Sequence, residues 1–65
     1  MTVDEAFDFC RRHRASVQWE SHIRDLDSDG VVASCFQGDK FFEVVGRDFL
    51  EAVEKLRKLI RPPTA

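Results

Sequence analysis

The chain has 65 residues, of which 43% are apolar and 34% are charged, with a formal net charge of −2. This length accommodates one domain, whose single core gives about 3–5 kcal/mol of stability, and the composition excludes a disordered chain. No apolar run reaches the ~20 residues that a membrane span needs, and no leader-like segment follows Met1, so we expect a soluble, cytoplasmic protein.

The first predicted element is a helix that begins at about Val3. Thr2 and Glu5 have the spacing of a capping box, in which each residue satisfies a backbone amide of the other. Apolar residues recur at helical spacing, with Phe9 at the edge of the stripe: Val3, Ala6, Phe7 and Cys10. The basic run Arg11 to Arg14 suits the negative end of the helix dipole, which explains this run without a ligand.

Alternating polar and apolar residues then predict strands. Val17, Trp19 and Ile23 fall on the core side of the first strand. The segment 27–30, Asp-Ser-Asp-Gly, has the chemistry of a type I turn that ends in a glycine bulge, with Gly30 at positive φ. We expect a register in which Asp25 lies opposite Val31.

A two-residue turn at Gly38 and Asp39 fixes the next pairing, in which Gln37 faces Lys40. Cys35 then faces Phe42, Ala33 faces Val44, and these residues form the core side with Val31. The opposite side of the sheet is unusually apolar for a solvated surface. It carries Val32, Ser34, Phe36, Phe41, Glu43 and Val45 beside Glu20 and His22.

A second helix follows the sheet. Asp48 is placed as its N-cap, and an amphipathic stripe runs along it: Phe49, Val53, Leu56 and Ile60. Two prolines, at 62 and 63, end the helix. The predicted domain covers residues 1–61, and residues 62–65 form a flexible tail. The fold class is α+β: a three-stranded antiparallel meander flanked by two helices in the order α-β-β-β-α, with both helices on one sheet face.

Two cysteines, Cys10 and Cys35, are too few for the disulfide framework of a small secreted domain. We interpret both as buried thiols on the core side, and a disulfide between them stays open. Neither cysteine has a convergent set of acid or base partners, and the sheet side filled by Trp19, Phe42 and Phe49 leaves little room for a pocket. We therefore predict no catalytic residues and no enzyme activity.

Metal sites are not predicted either. Asp25, Asp27, Asp29 and Gly30 reproduce the opening of an EF-hand loop, but Phe36 stands at the twelfth position, where calcium needs a bidentate glutamate. A transition-metal set could be drawn from Cys10, His13, His22 and Cys35. His22 is expected on the open side of the sheet while both cysteines point into the core, so no metal or other cofactor is expected.

The most distinctive feature that remains is the distribution of charge. Residues 25–54 carry eight carboxylates and only Lys40 and Arg47, a net charge of −6 for that stretch. The compensating cations lie at the two helix ends, Arg11 to Arg14 and Lys55 to Arg61. Such a polarised surface attracts basic partners and speeds their association, although turn and cap chemistry alone also explains these carboxylates.

The element order resembles the double-stranded-RNA-binding domain as a topology. That family grips RNA with lysines at the start of its last helix. Asp48, Glu51 and Glu54 stand there in this chain. The resemblance therefore implies the fold, and the reversed charge argues against RNA binding.

The size, layout and charge also resemble small accessory proteins of bacteriophages and mobile elements, including some anti-CRISPR proteins. In several of these, acidic surfaces imitate the phosphates of DNA. The resemblance implies a non-enzymatic inhibitor or adaptor that binds a host protein or complex with a basic surface, without a membrane or small-molecule substrate. The residues predicted to bind the partner are Asp25, Asp27, Asp29, Asp39, Glu43, Phe36, Phe41 and Glu20.

Two other hypotheses stay open. One is a small nucleic-acid-binding module that uses Arg11, Arg12, Arg14 and the segment Lys55 to Arg61, and it predicts binding that weakens steeply with salt. The other is a weak homodimer in which the open sheet faces meet through Phe36 and Phe41.

Overall fold

A computed structural model of the chain describes residues 1–24 and 26–60. It has the predicted order: α1 (Val3–His13), β1 (Ser16–Ile23), β2 (Ser28–Gln37), β3 (Lys40–Gly46) and α2 (Phe49–Leu59). The strands form one antiparallel sheet in the order β1-β2-β3, which confirms the α+β meander. The predicted domain end at residue 61, the predicted tail 62–65 and Asp25 lie outside the described residues.

Both helices begin at side-chain caps. The Glu5 amide donates to the Thr2 hydroxyl at 3.2 Å, and the Thr2 amide donates to the Glu5 carboxylate at 2.7 Å, which confirms the capping box. In α2 the Asp48 carboxylate accepts from the Glu51 amide at 2.8 Å. The Glu51 carboxylate lies 3.4 Å from the Lys55 amine, one turn further along the helix.

The pairing of β2 with β3 is the predicted one. Gln37 faces Lys40, Cys35 faces Phe42 and Ala33 faces Val44. Gly38 has a φ of 66°, which a glycine adopts without the steric cost that a Cβ would bring. The two-residue turn therefore sets the register as the sequence indicates.

The predicted pairing of β1 with β2 is wrong. Trp19, rather than Asp25, lies opposite Val31, and β2 already begins at Ser28. The positive φ is at Asp27, at 54°, and Gly30 is instead a buried strand residue. A Cβ at Gly30 would lie 2.6 Å from Leu26 Cδ1 and 2.7 Å from the Gly46 carbonyl oxygen, so this glycine provides space rather than a turn.

The extra length of β1 is taken up by an irregularity between Glu20 and Ile23. His22 has a φ of 55° there, and its amide donates to the Asp29 carboxylate at 2.8 Å. A carboxylate from the neighbouring strand thus takes the place of a ladder acceptor at the bulge.

The hydrophobic core lies between one face of the sheet and the helices. Its buried members alternate along β2 and recur along α2 and its C-cap: Val31, Ala33, Cys35, Ala52, Leu56 and Ile60. Phe9 of α1 packs against the same cluster, so both helices contact the side of the sheet that carries Val31 and Cys35. Cys35 is buried, Cys10 is half-buried, and both are free thiols.

Two aromatic residues are more exposed than the sequence pattern predicts. The pattern predicts Trp19 in the core, but Trp19 is 65% exposed, because β1 is an edge strand and the helices pack mainly over β2 and β3. Phe7 is 55% exposed and its ring lies against Phe49, with 4.9 Å between centroids. In α1 the residues turned inward are Ala6, Phe9 and Cys10.

Candidate protein-binding surface

The face of the sheet opposite the helices, termed here the open face, carries three cross-strand pairs from β2 and β3. Val32 pairs with Val45, Ser34 with Glu43, and Phe36 with Phe41. Gln18 of β1 continues the Val32–Val45 row, and Glu20 lies beyond that row, opposite Gly30. Two apolar pairs are thus separated by one polar pair, as the alternation along the strands predicts.

The Phe36–Phe41 pair is the main apolar feature of the open face. The ring centroids are 4.9 Å apart and the planes are tilted by 52°, a geometry that aromatic pairs favour. Phe36 remains 68% exposed and Phe41 53% exposed. The pair therefore stabilises the hairpin locally while leaving most of its apolar surface in water.

Three of the predicted acidic residues lie near this aromatic pair or on the same face. Asp39 is in the turn next to the pair, Glu43 lies opposite Ser34 in the adjacent row, and Glu20 lies opposite Gly30 on β1. All three are exposed. Asp39 and Glu43 therefore border the rings, whereas Glu20 is six residues from Phe36 in the sheet register, roughly 20 Å away at the other end of the open face.

The other predicted acidic residues are elsewhere. Asp27 and Asp29 lie at the start of β2, whereas Phe36 is eight residues beyond Ser28, roughly 26 Å at 3.3 Å per residue. Asp25 lies outside the described residues. The predicted binding set is therefore divided between two ends of the sheet, and Asp27, Asp29 and Glu20 do not adjoin the aromatic pair.

Several carboxylates of the acidic stretch have structural roles. Asp29 holds the β1 bulge, Asp48 caps α2 and Glu51 lies beside Lys55. Glu54 Oε1 lies 3.9 Å from the N-terminal amine of Met1. A bulge contact, a helix cap and two ion pairs thus account for these four, and Asp39 and Glu43 remain as candidates for partner contacts beside the aromatic pair.

Sequence reasoning missed Trp19 as a surface residue. Its position on the core side of β1 is as predicted, since it lies opposite Val31. The predicted meander already makes β1 an edge strand, and that topology was the available signal of exposure. The sequence pattern does not show that the helices pack mainly over β2 and β3.

The basic helix ends, on which the nucleic-acid hypothesis depends, meet at one place. A cleft of about 370 Å³ lies between the C-terminal ends of α1 and α2, lined by Phe9, Arg12, His13, Gln37, Arg57 and Ile60. Arg12 also forms an ion pair with Asp8.

Hydrogen bonds from Thr2 lower the pKa of Glu5, with smaller contributions from the N-terminal amine and from Arg57.

The two thiols are the remaining reactive groups. Burial raises the pKa of both Cys10 and Cys35, and the proximity of Cys35 adds to the effect at Cys10. A raised pKa keeps the thiolate fraction low at neutral pH, so both side chains are weak nucleophiles.

Neither described helix has the length and hydropathy of a membrane span, and His, Cys, Asp and Glu side chains do not gather in threes or more within residues 1–24 and 26–60. Comparison of the chain with protein-family models, with curated proteins and with solved structures gave no match. Function is therefore inferred from the surfaces of this molecule.

Proposed function

We propose that this protein is a non-enzymatic inhibitor or adaptor that binds another protein through its open face. The observation that carries the proposal is the Phe36–Phe41 pair, two adjacent aromatic rings on a sheet face away from the helices, with most of their surface in water. Exposed aromatic residues at the centre of a polar rim are typical of the few residues that dominate binding energy.

The charges around the pair favour a basic partner. Asp39 and Glu43 offer exposed carboxylates beside the pair, and the cation next to them is Lys40, at the start of β3. Glu20 adds an exposed carboxylate at the other end of the same face. A partner with an apolar pocket bordered by lysine or arginine would complement both features. We expect its association rate to fall as salt rises, because exposed charges are screened.

The narrower form of the proposal is a phage-encoded anti-CRISPR protein that imitates DNA toward a host nucleic-acid-binding complex. The exposed carboxylates of the acidic stretch support it, whereas those already used in caps and ion pairs do not. Neutralising Asp27, Asp39 and Glu43 as D27N, D39N and E43Q keeps side-chain shape and removes charge. If the protein imitates DNA, this variant loses inhibition and binding. If the variant retains both, DNA mimicry is refuted and only binding through the Phe36–Phe41 pair remains proposed.

The central experiment compares capture of host proteins by the wild type and by a Phe36→Ala/Phe41→Ala variant. The matched control is Leu59→Ala, which removes an exposed apolar side chain from α2 instead. Loss of two central aromatic residues is expected to cost at least about 2 kcal/mol, a roughly 30-fold weaker Kd. A partner that binds wild type and the double variant equally, while both fold, would contradict the proposal.

Nucleic-acid binding is the second candidate, favoured by the convergence of Arg12, His13 and Arg57 at the cleft between the helix ends. Its test is an electrophoretic shift with DNA and RNA at low salt. Retention that disappears in an Arg12→Gln/Arg57→Gln variant and persists in the Phe36→Ala/Phe41→Ala variant would replace the first candidate with this one.

A further inference from the structure

The two edges of the sheet differ in how they are protected. The carbonyl oxygen of Val45 on β3 accepts a hydrogen bond from the Lys55 side chain at 2.9 Å, and α2 packs along this strand. On β1, four of the first five residues are exposed: Ser16, Gln18, Trp19 and Glu20. This segment has no proline, lysine or arginine, and Glu20 at its end is its one charged residue of the kind that blocks an edge strand.

We propose that two copies of the chain pair antiparallel through Ser16–Glu20 of β1 and form one continuous six-stranded sheet. The length of the pairing is set by the bulge. Between Glu20 and Ile23 the strand becomes irregular, with His22 at positive φ, so a regular ladder of added hydrogen bonds ends at Glu20. An edge segment of five residues remains for a second strand.

The sequence of this segment complements itself about Gln18. With a two-fold axis at Gln18, Val17 of one copy faces Trp19 of the other, and Ser16 faces Glu20. Trp19, which is 65% exposed in the single chain, then gains an apolar cross-strand neighbour on the helix side of the sheet. Glu20 meets a neutral serine rather than a second carboxylate, and the two Gln18 amides meet on the open face.

In this register a second copy of the chain places an apolar residue opposite Trp19 and an uncharged residue opposite Glu20. The edge is therefore assigned to a second copy rather than to an unrelated strand. In the dimer the two open faces become one surface. The aromatic pair of each copy then lies on the same side, at opposite corners of the sheet, so a dimer could bind a repeated partner with both. The dimer does not depend on the proposed function.

Sedimentation velocity over a concentration series, up to millimolar chain, tests the pairing. Wild type should shift from monomer to dimer, and Trp19→Lys should weaken the dimer about tenfold or more. Phe36→Lys is the matched control, since Phe36 is equally exposed but lies on the open face, and it should dimerise as wild type does. A wild type that stays monomeric overturns the proposal, as does a dimer lost in Phe36→Lys and kept in Trp19→Lys.

Two further measurements locate the interface without a loss of binding. Trp19 is the single tryptophan of the chain, so its emission should move to shorter wavelength as the dimer forms. In a Cys10→Ala background, Gln18→Cys should form an intermolecular disulfide under mild oxidation, because residues directly opposite have Cα atoms about 4.5–5.5 Å apart, within disulfide range. Glu20→Cys faces Ser16 and should cross-link poorly. Equal cross-linking of both variants, or an unchanged emission in a proven dimer, would refute this register.

Discussion

Replacing Gly46 by alanine should be the most damaging single methyl addition in the molecule. Gly46 ends β3 directly beneath the first turn of α2. A Cβ built there would lie 2.5 Å from the Ala52 nitrogen and 2.8 Å from the Ala52 Cα. Both atoms belong to the helix backbone, so a side-chain rotation cannot relieve the contact.

The size of the effect follows from these distances. Ordinary van der Waals contact begins at 3.4 Å, so α2 would have to retreat by about 1 Å from a core that includes Ala52 and Leu56. Overpacking of this kind costs about 1–3 kcal/mol, a large part of the ~3–5 kcal/mol available to a domain of this size. We expect the urea midpoint of Gly46→Ala to fall by about 1–3 M, with m near 1 kcal/mol/M.

The other two glycines are the controls, measured by urea unfolding followed by circular dichroism. Gly38→Ala meets no atom within 4 Å but has a φ of 66°, so it should lose only the ~1 kcal/mol of left-handed strain. Gly30→Ala meets the mobile ends of Leu26 and Ile23 but also a backbone oxygen, and should fall between the two. If Gly46→Ala lies within about 0.5 kcal/mol of wild type, α2 is not seated on β3 as described.

Two further predictions concern single groups. Asp29→Ala should destabilise the fold by about 1 kcal/mol because it leaves the His22 amide without its acceptor; Asp39→Ala removes an exposed carboxylate of the other turn and is the control, and equal urea midpoints for the two variants would refute the role of Asp29. Since burial raises the pKa of Cys10 and Cys35 above the ordinary 9.0, the folded thiols hold their protons more tightly, and stability present below pH 9 should fall as pH rises through the folded pKa; a Cys10→Ala/Cys35→Ala variant that declines equally between pH 8 and 10 would contradict this.

The parts of the fold that depend on local rules were predictable. The caps at Thr2 and Asp48 satisfy backbone amides within three residues, and the Gly38 turn fixes the β2–β3 register over two residues. The β1–β2 register was not predictable from local rules, because it depends on contacts between residues distant in sequence. Position 30 requires a glycine because Leu26 and Gly46 leave no room for a side chain there. The positive φ of the turn is at Asp27. An Asp-Gly pair at the end of an acidic run does not distinguish these two uses of glycine.

The sheet face that carries the candidate site was predictable, but the set of residues that belong to the site was not. Strand alternation alone places Phe36, Phe41 and Glu43 on one side, and the structure keeps them in adjacent rows. The density of charge along the chain groups these residues with Asp27 and Asp29. The ten-residue length of β2 places Asp27 and Asp29 at the opposite end of the sheet.

The exposure of Trp19 has the same physical origin as the exposure of the aromatic pair. Two helices of eleven residues each cover one face of the sheet and pack mainly over β2 and β3. The open face and the outer edge of β1 therefore stay in water, and the chain places aromatic residues at both. A small domain loses stability by leaving such side chains exposed unless another surface covers them. Phe36 with Phe41 and Trp19 are thus separate positions, and variants at one should leave binding at the other intact.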